Sequence, residues 1–198
     1  QARAYGLKDW AYLLAATNRR PFGFDWEDWG RLDALEVLAE GQRRFTTDPT
    51  QVYLTGHSMG GHGTWNVGVT HPGRFALMGP SAGWSHFDAY GGARSPAPGP
   101  GIAGAFAAAQ QHSQTLDFLE NLSQRAVFII HGDADNNVPV SFARNMRAAL
   151  EDICEDLHYH EEPGAGHWWD GYPEPGAQCV DWPDMMALMQ QRRLDLTE

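Results

Sequence analysis

Gly56-His57-Ser58-Met59-Gly60 sets a serine between two glycines, directly after the apolar run Gln51-Val52-Tyr53-Leu54-Thr55 and before Gly61-His62-Gly63-Thr64-Trp65-Asn66-Val67. A serine hydroxyl is a weak nucleophile at neutral pH. It becomes a useful one when a base stands beside it and a further group fixes that base. G-x-S-x-G between a strand and a helix supplies the nucleophile's part: the turn is so tight that the serine is forced into a strained conformation, and small neighbours keep helix and strand from colliding with it. The helix that follows aims its positive end at the same spot. Taken alone, the five residues could also be an ordinary Gly/Ser loop.

The remaining parts should lie past the carboxyl ends of later strands. The apolar run Ala126 to Ile130 ends in His131-Gly132-Asp133-Ala134-Asp135-Asn136-Asn137-Val138-Pro139. Leu157 to Glu161 ends in Pro163-Gly164-Ala165-Gly166-His167-Trp168-Trp169-Asp170. An acid and then a histidine therefore follow the serine in chain order. Asp133 and Asp135 compete for the acid, Asp135 could instead cap the helix that begins near Val138, and His167 could be a loop histidine against Trp168.

These three segments together resemble an α/β-hydrolase of the prolyl oligopeptidase-like and dienelactone hydrolase-like group. The resemblance runs over most of the chain from about Gln51 onward and implies a serine hydrolase. It puts the acid on Asp135, so that Ser58 would attack an acyl carbonyl, His167 would move its proton, and Asp135 would hold the His167 ring. It implies that the backbone N–H of Met59 helps to form the oxyanion hole, with a second donor from a loop after an early strand. No His-Gly-Gly or similar segment precedes Trp10, so the opening strands of the fold are expected to lie outside this chain. Esterases and peptidases share this mechanism. Cleavage of an ester is the expectation here, with a prolyl oligopeptidase-like peptidase and a non-catalytic binding fragment as alternatives.

The elements that would position these groups alternate along the chain. Trp10 to Thr17 reads as a short strand and Trp29 to Glu40 as a helix, with Leu32, Leu35, Val37 and Leu38 at helical spacing. Gln51 to Thr55, Phe75 to Gly79, Ala126 to Ile130 and Leu157 to Glu161 read as strands. Gly61 to Thr70, Ser141 to Ile153 and Asp184 to Arg193 read as helices, Asp184 lying near a cap. Apolar strands alternating with helices predict a mainly parallel sheet with helices on both faces, a three-layer α/β sandwich. One domain over residues 1–198 is expected, with a loop or lid-like insertion at about 85–120. The Gly/Pro/Ala stretch from Gly91 to Gly104 predicts a loop over the carboxyl edge of the sheet.

Composition narrows the partners. A net charge of −11 without a basic patch argues against nucleic acid and against an anionic membrane surface. No apolar run reaches membrane-spanning length. A small ester or peptide is the expected partner, cofactor-free chemistry fits, and no metal set is spaced for binding: His158 and His160 share a strand face but lack a third ligand. Cys154 and Cys179 are compatible with a disulfide or with buried thiols. A secreted or periplasmic placement is expected ahead of a cytoplasmic one. Among substrate-contacting candidates, His57 and Trp84 flank the serine, Trp168 follows His167, and Arg19 could meet a substrate carboxylate. His57 could equally pack beneath the turn. Eight tryptophans either line a pocket or plug gaps between layers.

Overall fold

Four strands build one parallel sheet, seen in a computed structural model that describes residues 2–18, 25–86, 99–171 and 175–195. The strands are β1 (Tyr53–His57), β2 (Leu77–Ser81), β3 (Ala126–Gly132) and β4 (Asp156–Glu162), paired in the order β1-β2-β3-β4 with every pair parallel. The helices are α1 (Trp29–Arg44), α2 (Met59–Thr70), α3 (Gly101–Gln110), α4 (Ser141–Leu150) and α5 (Pro183–Gln191).

Side chains alternate across a strand, so one apolar strand can feed two cores. Met78, Val127 and Ile129 face one way and join Trp65, Val67 and Val69 of α2, Met146 and Leu150 of α4, and Leu119 and Leu122; Leu35 and Leu38 of α1 pack against the same cluster. Leu77, Ala126, Phe128 and Ile130 face the other way, onto Trp182, Met185, Met186 and Met189 at α5. Helices thus cover both faces, and the sheet is the middle of three layers. The aromatics mostly seal gaps: Trp65 and Trp84 are buried, Trp10 meets Tyr53 edge-on, and Trp169 meets Trp182 edge-on.

Two expectations need correction. Trp10 to Thr17 forms no strand; Trp10 packs on Tyr53, and the Leu14 side chain lies where a Cβ on Gly41 would project, so the run is held by side-chain contact with β1 and α1. The Gly/Pro/Ala stretch gives way to helix at Gly101, whose φ of 81° makes the turn into α3; residues 87–98 lie outside those described. Within the expected insertion, 3₁₀ turns at Thr115–Leu122 bury Leu119 and Leu122 in the core. At α5 the cap position falls on Trp182, with Pro183 opening the helix and Asp184 in its first turn. Cys154 and Cys179 are separate buried thiols.

A tight backbone-to-backbone approach between layers lies at the start of α2. A Cβ on Gly61 would lie 2.3 Å from the Ser81 carbonyl oxygen and 2.8 Å from Gly83 Cα, both backbone atoms. A Cβ on Gly73 would meet nothing within 4 Å. Gly61→Ala should therefore destabilise by about 1–3 kcal/mol, lowering Tm by roughly 3–10 °C in a thermal melt, with Gly73→Ala as the near-neutral control. Equal Tm values for the two variants would show that the crossing tolerates a methyl group.

Candidate active site

β1 runs into the turn that carries Ser58, and the backbone there is far from ordinary: φ is 59° and ψ −118°. Such a conformation in a non-glycine residue is strained and persists only where its surroundings enforce it. The enforcement is visible. Ser58 N–H donates to the Ser81 carbonyl at 2.9 Å, and the Ser58 carbonyl accepts from His62 N–H at 3.0 Å. A Cβ on Gly56 would sit 2.4 Å from the Gly60 carbonyl oxygen, so the turn closes only with glycine there. Met59 is the first residue of α2, which places its N–H among the free donors at the positive end of the helix.

β3 delivers the carboxylates. Asp135 Oδ1 accepts from the N–H groups of Asn137 at 2.8 Å and Val138 at 2.9 Å, closing a tight turn ahead of α4, which starts only at Ser141. Asp135 Oδ2 lies 2.7 Å from His167 Nδ1, and the Asp135 side chain is inaccessible to solvent. Burial opposes ionisation of Asp135, but the hydrogen bonds from His167 and the two backbone donors outweigh it and hold the carboxyl below the usual range. Asp133 has different work: it accepts from Gly164 N–H at 2.5 Å, while its own N–H donates to the Glu162 carbonyl at 3.0 Å. It ties the loop after β4 to the end of β3. Ala134 N–H adds a bond to the Ala165 carbonyl at 2.9 Å, and a Cβ on Gly132 would lie 2.4 Å from that same oxygen. The loop bearing His167 is thereby pressed against β3.

The two halves of the site meet at His57. Its ring centroid lies 4.6 Å from that of His167 and 4.1 Å from that of Trp168. His57 is fully buried, and its Nδ1 lies 3.0 Å from Ser81 Oγ, whose single proton goes to the Cys179 carbonyl. The proton between the first pair must then sit on His57 Nδ1. Burial, reinforced by the neighbouring His167, drives the His57 ring down to about 3, so it stays neutral near pH 7.

Other expected contacts fall differently. Trp84 is 2% exposed and stacks on the buried His62 ring at 5.5 Å, so it supports α2 and does not present a surface. Burial likewise makes His57 a packing partner of the site. Trp168 is 51% exposed beside His57 and is open to a ligand. Arg19 lies outside the described residues. His158 and His160 pair with Asp156 and Glu162, each at 2.8 Å, and His160 stacks on Trp182. No cluster of three or more His, Cys, Asp or Glu side chains suited to a metal forms among the described residues. Residue types alone missed Ser81, the Cys179 carbonyl, and His62, whose Nδ1 faces the Trp84 carbonyl at 3.0 Å and whose Nε2 faces Glu27 at 3.2 Å. They also missed His131, four residues before Asp135, where the i,i+4 spacing was the available signal.

Comparison with known proteins identifies the chain's family and fold. A model described as the prolyl oligopeptidase family matches residues 18–190. The chain belongs to that family. A prolyl oligopeptidase family member need not resemble any one relative closely, and this one is 28% identical over 177 residues to an uncharacterized secreted protein of Arthroderma benhamiae, covering 81% of this chain and 18% of the relative. A thermostable esterase shares the fold at a TM-score of 0.58 and 18% identity, over 91% of this chain and 41% of that one. The Pyrococcus horikoshii acylaminoacyl peptidase does so at 0.50 and 17%, over 70% and 23%. The chain therefore spans 18% of the Arthroderma benhamiae relative's length and less than half of each of these two solved chains. No helix among the described residues is long and apolar enough to cross a membrane.

The His57 environment sets a pH dependence of stability. An unfolded histidine titrates near ~6.5, so between that value and about 3 the unfolded chain takes up a proton that folded His57 refuses. Stability fully present above that range is lost as pH falls through it. Urea unfolding at pH 7 and pH 4.5 should show His57→Gln losing less stability than the parent, by on the order of 1–3 kcal/mol. Parallel losses would mean that His57 takes no part.

Proposed function

We propose that this chain is a serine hydrolase that cleaves carboxylic esters through an acyl-enzyme, with Ser58 as nucleophile, His167 as general base and then acid, and Asp135 as the group that orients His167. The observation that carries this reading is the 2.7 Å contact between His167 Nδ1 and Asp135 Oδ2, set against the ring of the residue that precedes Ser58. With Nδ1–H held by the carboxylate, Nε2 is the bare nitrogen that can accept the Ser58 proton. Ser58 Oγ then bonds to the substrate carbonyl carbon, and the carbonyl electrons move onto oxygen. Met59 N–H and the positive end of α2 stabilise that oxyanion. As the tetrahedral adduct collapses, His167 Nε2–H protonates the departing alkoxide. Water repeats the sequence on the acyl-serine and restores the enzyme. No cofactor is required by these steps.

Trp168 offers an exposed aromatic face beside the site and is proposed to contact the substrate. Family membership favours one second reading, cleavage of a peptide bond by the same residues, since only the leaving group changes. The Arthroderma benhamiae relative's description as secreted supports a place outside the cytoplasm.

Hydrolysis of p-nitrophenyl acetate is the direct test, with the matching p-nitroanilide separating ester from amide cleavage. Ser58→Ala and His167→Ala should each lower kcat by at least roughly 10³-fold while leaving Tm within a few degrees. Asp135→Asn should lower kcat by a similar order, because the amide favours the wrong His167 tautomer. Equal background rates in parent and Ser58→Ala would overturn the reading in favour of a binding fragment.

A further inference from the structure

We propose that His131 is a positioning residue for the Asp135 carboxylate, sharing one Nε2–H between Asp135 Oδ2 and the Val138 carbonyl; this rests on the triad reading above. His131 Nε2 lies 2.9 Å from the Val138 carbonyl oxygen and 3.3 Å from Asp135 Oδ2. A carbonyl oxygen can only accept, so Nε2 carries a hydrogen. Nδ1 is buried and has no hydrogen-bond partner among the described residues, so a second proton there would be a buried charge without an acceptor. Burial accordingly holds the ring's pKa below its ordinary value, against the pull of Val138 and Asp135, and His131 works as a neutral donor.

The arrangement grips the carboxylate on both oxygens. Oδ1 is anchored by the Asn137 and Val138 N–H groups, which leaves Oδ2 as the oxygen facing the histidines. Val138 is held twice, its N–H by Asp135 and its carbonyl by His131, so the turn between acid and α4 is closed from within. Oδ2 would otherwise be fixed by His167 alone, a side chain that must take up and release a proton in each half-reaction. His131 supplies a contact on Oδ2 that does not change during the cycle. Its charged and titratable surroundings are Asp135, His167, His57 and Glu161. Its own ring stays out of proton transfer, because its one hydrogen is committed and its other nitrogen is enclosed.

The experiment compares the parent chain with His131→Phe, His131→Gln and Ser58→Ala. Glutamine can place an amide N–H near the Nε2 position, whereas phenylalanine keeps the ring and removes the donor. The rate of fluorophosphonate labelling at Ser58 and the kinetics of p-nitrophenyl acetate hydrolysis are measured, together with the downfield proton resonance of His167 Nδ1–H. His131→Phe should slow labelling and kcat by about 10- to 100-fold with KM within about twofold, and should shift the downfield resonance. His131→Gln should recover most of the rate and the resonance. Parental rates in His131→Phe overturn the inference, as does an equal loss in two folded variants, which would mark a packing role. Should His131→Phe not fold, His131→Gln decides: a folded glutamine variant with lost rate and altered resonance overturns the proposal, and one with both retained supports it. Failure of the parent itself to label at Ser58 removes the triad reading and this inference with it. Labelling of the parent that is abolished in Ser58→Ala, with His131→Phe unaffected, removes this inference alone.

Discussion

The site depends on a backbone conformation that serine does not choose. At φ 59° and ψ −118°, Ser58 occupies a region that costs an L-residue on the order of 1–3 kcal/mol. The fold spreads that cost over groups that have nowhere else to go. β1 is hydrogen-bonded to β2 along its length, α2 is locked to the core by Trp65, Val67 and Val69, and the one residue between them must reverse the chain. The absence of side chains at Gly56 and Gly61 makes the reversal possible, since each would otherwise drive a carbon into backbone oxygen. Strain at Ser58 is thus set by the distance between a strand and a helix that the two hydrophobic cores hold in place.

Electrostatics near this turn follows from the same burial. His57 and His131 are both deprived of water and both biased toward neutrality, and they flank the pair formed by His167 and Asp135. The surroundings of His167 therefore carry the negative charge of Asp135 and no competing cation from the two buried rings. In the proposed reaction His167 would become positive, and neighbours that do not charge first would favour that step. Burial, normally a nuisance for polar side chains, here biases His57 and His131 toward neutrality.

Much of this was legible from residue order. The unbroken apolar run Ala126 to Ile130 announced a strand buried on both faces, and the glycines around Ser58 announced the turn. The order serine, acid, histidine followed from which strand ends carried polar residues. Other features were invisible for physical reasons. Trp10 to Thr17 carries strand-like residues but satisfies them by packing Trp10 and Leu14 on neighbouring elements, and composition does not distinguish that from a ladder. α3 begins inside a Gly/Pro-rich stretch because a positive φ at Gly101 is a way into a helix as well as out of one. The burial of His57 and Trp84 and the division of labour between Asp133 and Asp135 depend on which loop lies against which strand end. That is a long-range outcome, and no local pattern records it.

The Ser81 hydroxyl joins three stretches of chain that are distant in sequence: it accepts from the residue before Ser58, sits at the end of β2, and donates to a carbonyl twelve residues past His167. Such a junction is a unit of local opening. Residues 176–181 are in turn clasped by the N-terminal segment, through the bridge of Tyr5 with Gly176 and the bonds of Gly6 and Lys8 to Asp181. Amide protons around Ser58 and those around Cys179 are therefore expected to exchange with solvent in one cooperative event, and a disturbance at the chain's first few residues to be felt as faster exchange at Ser58.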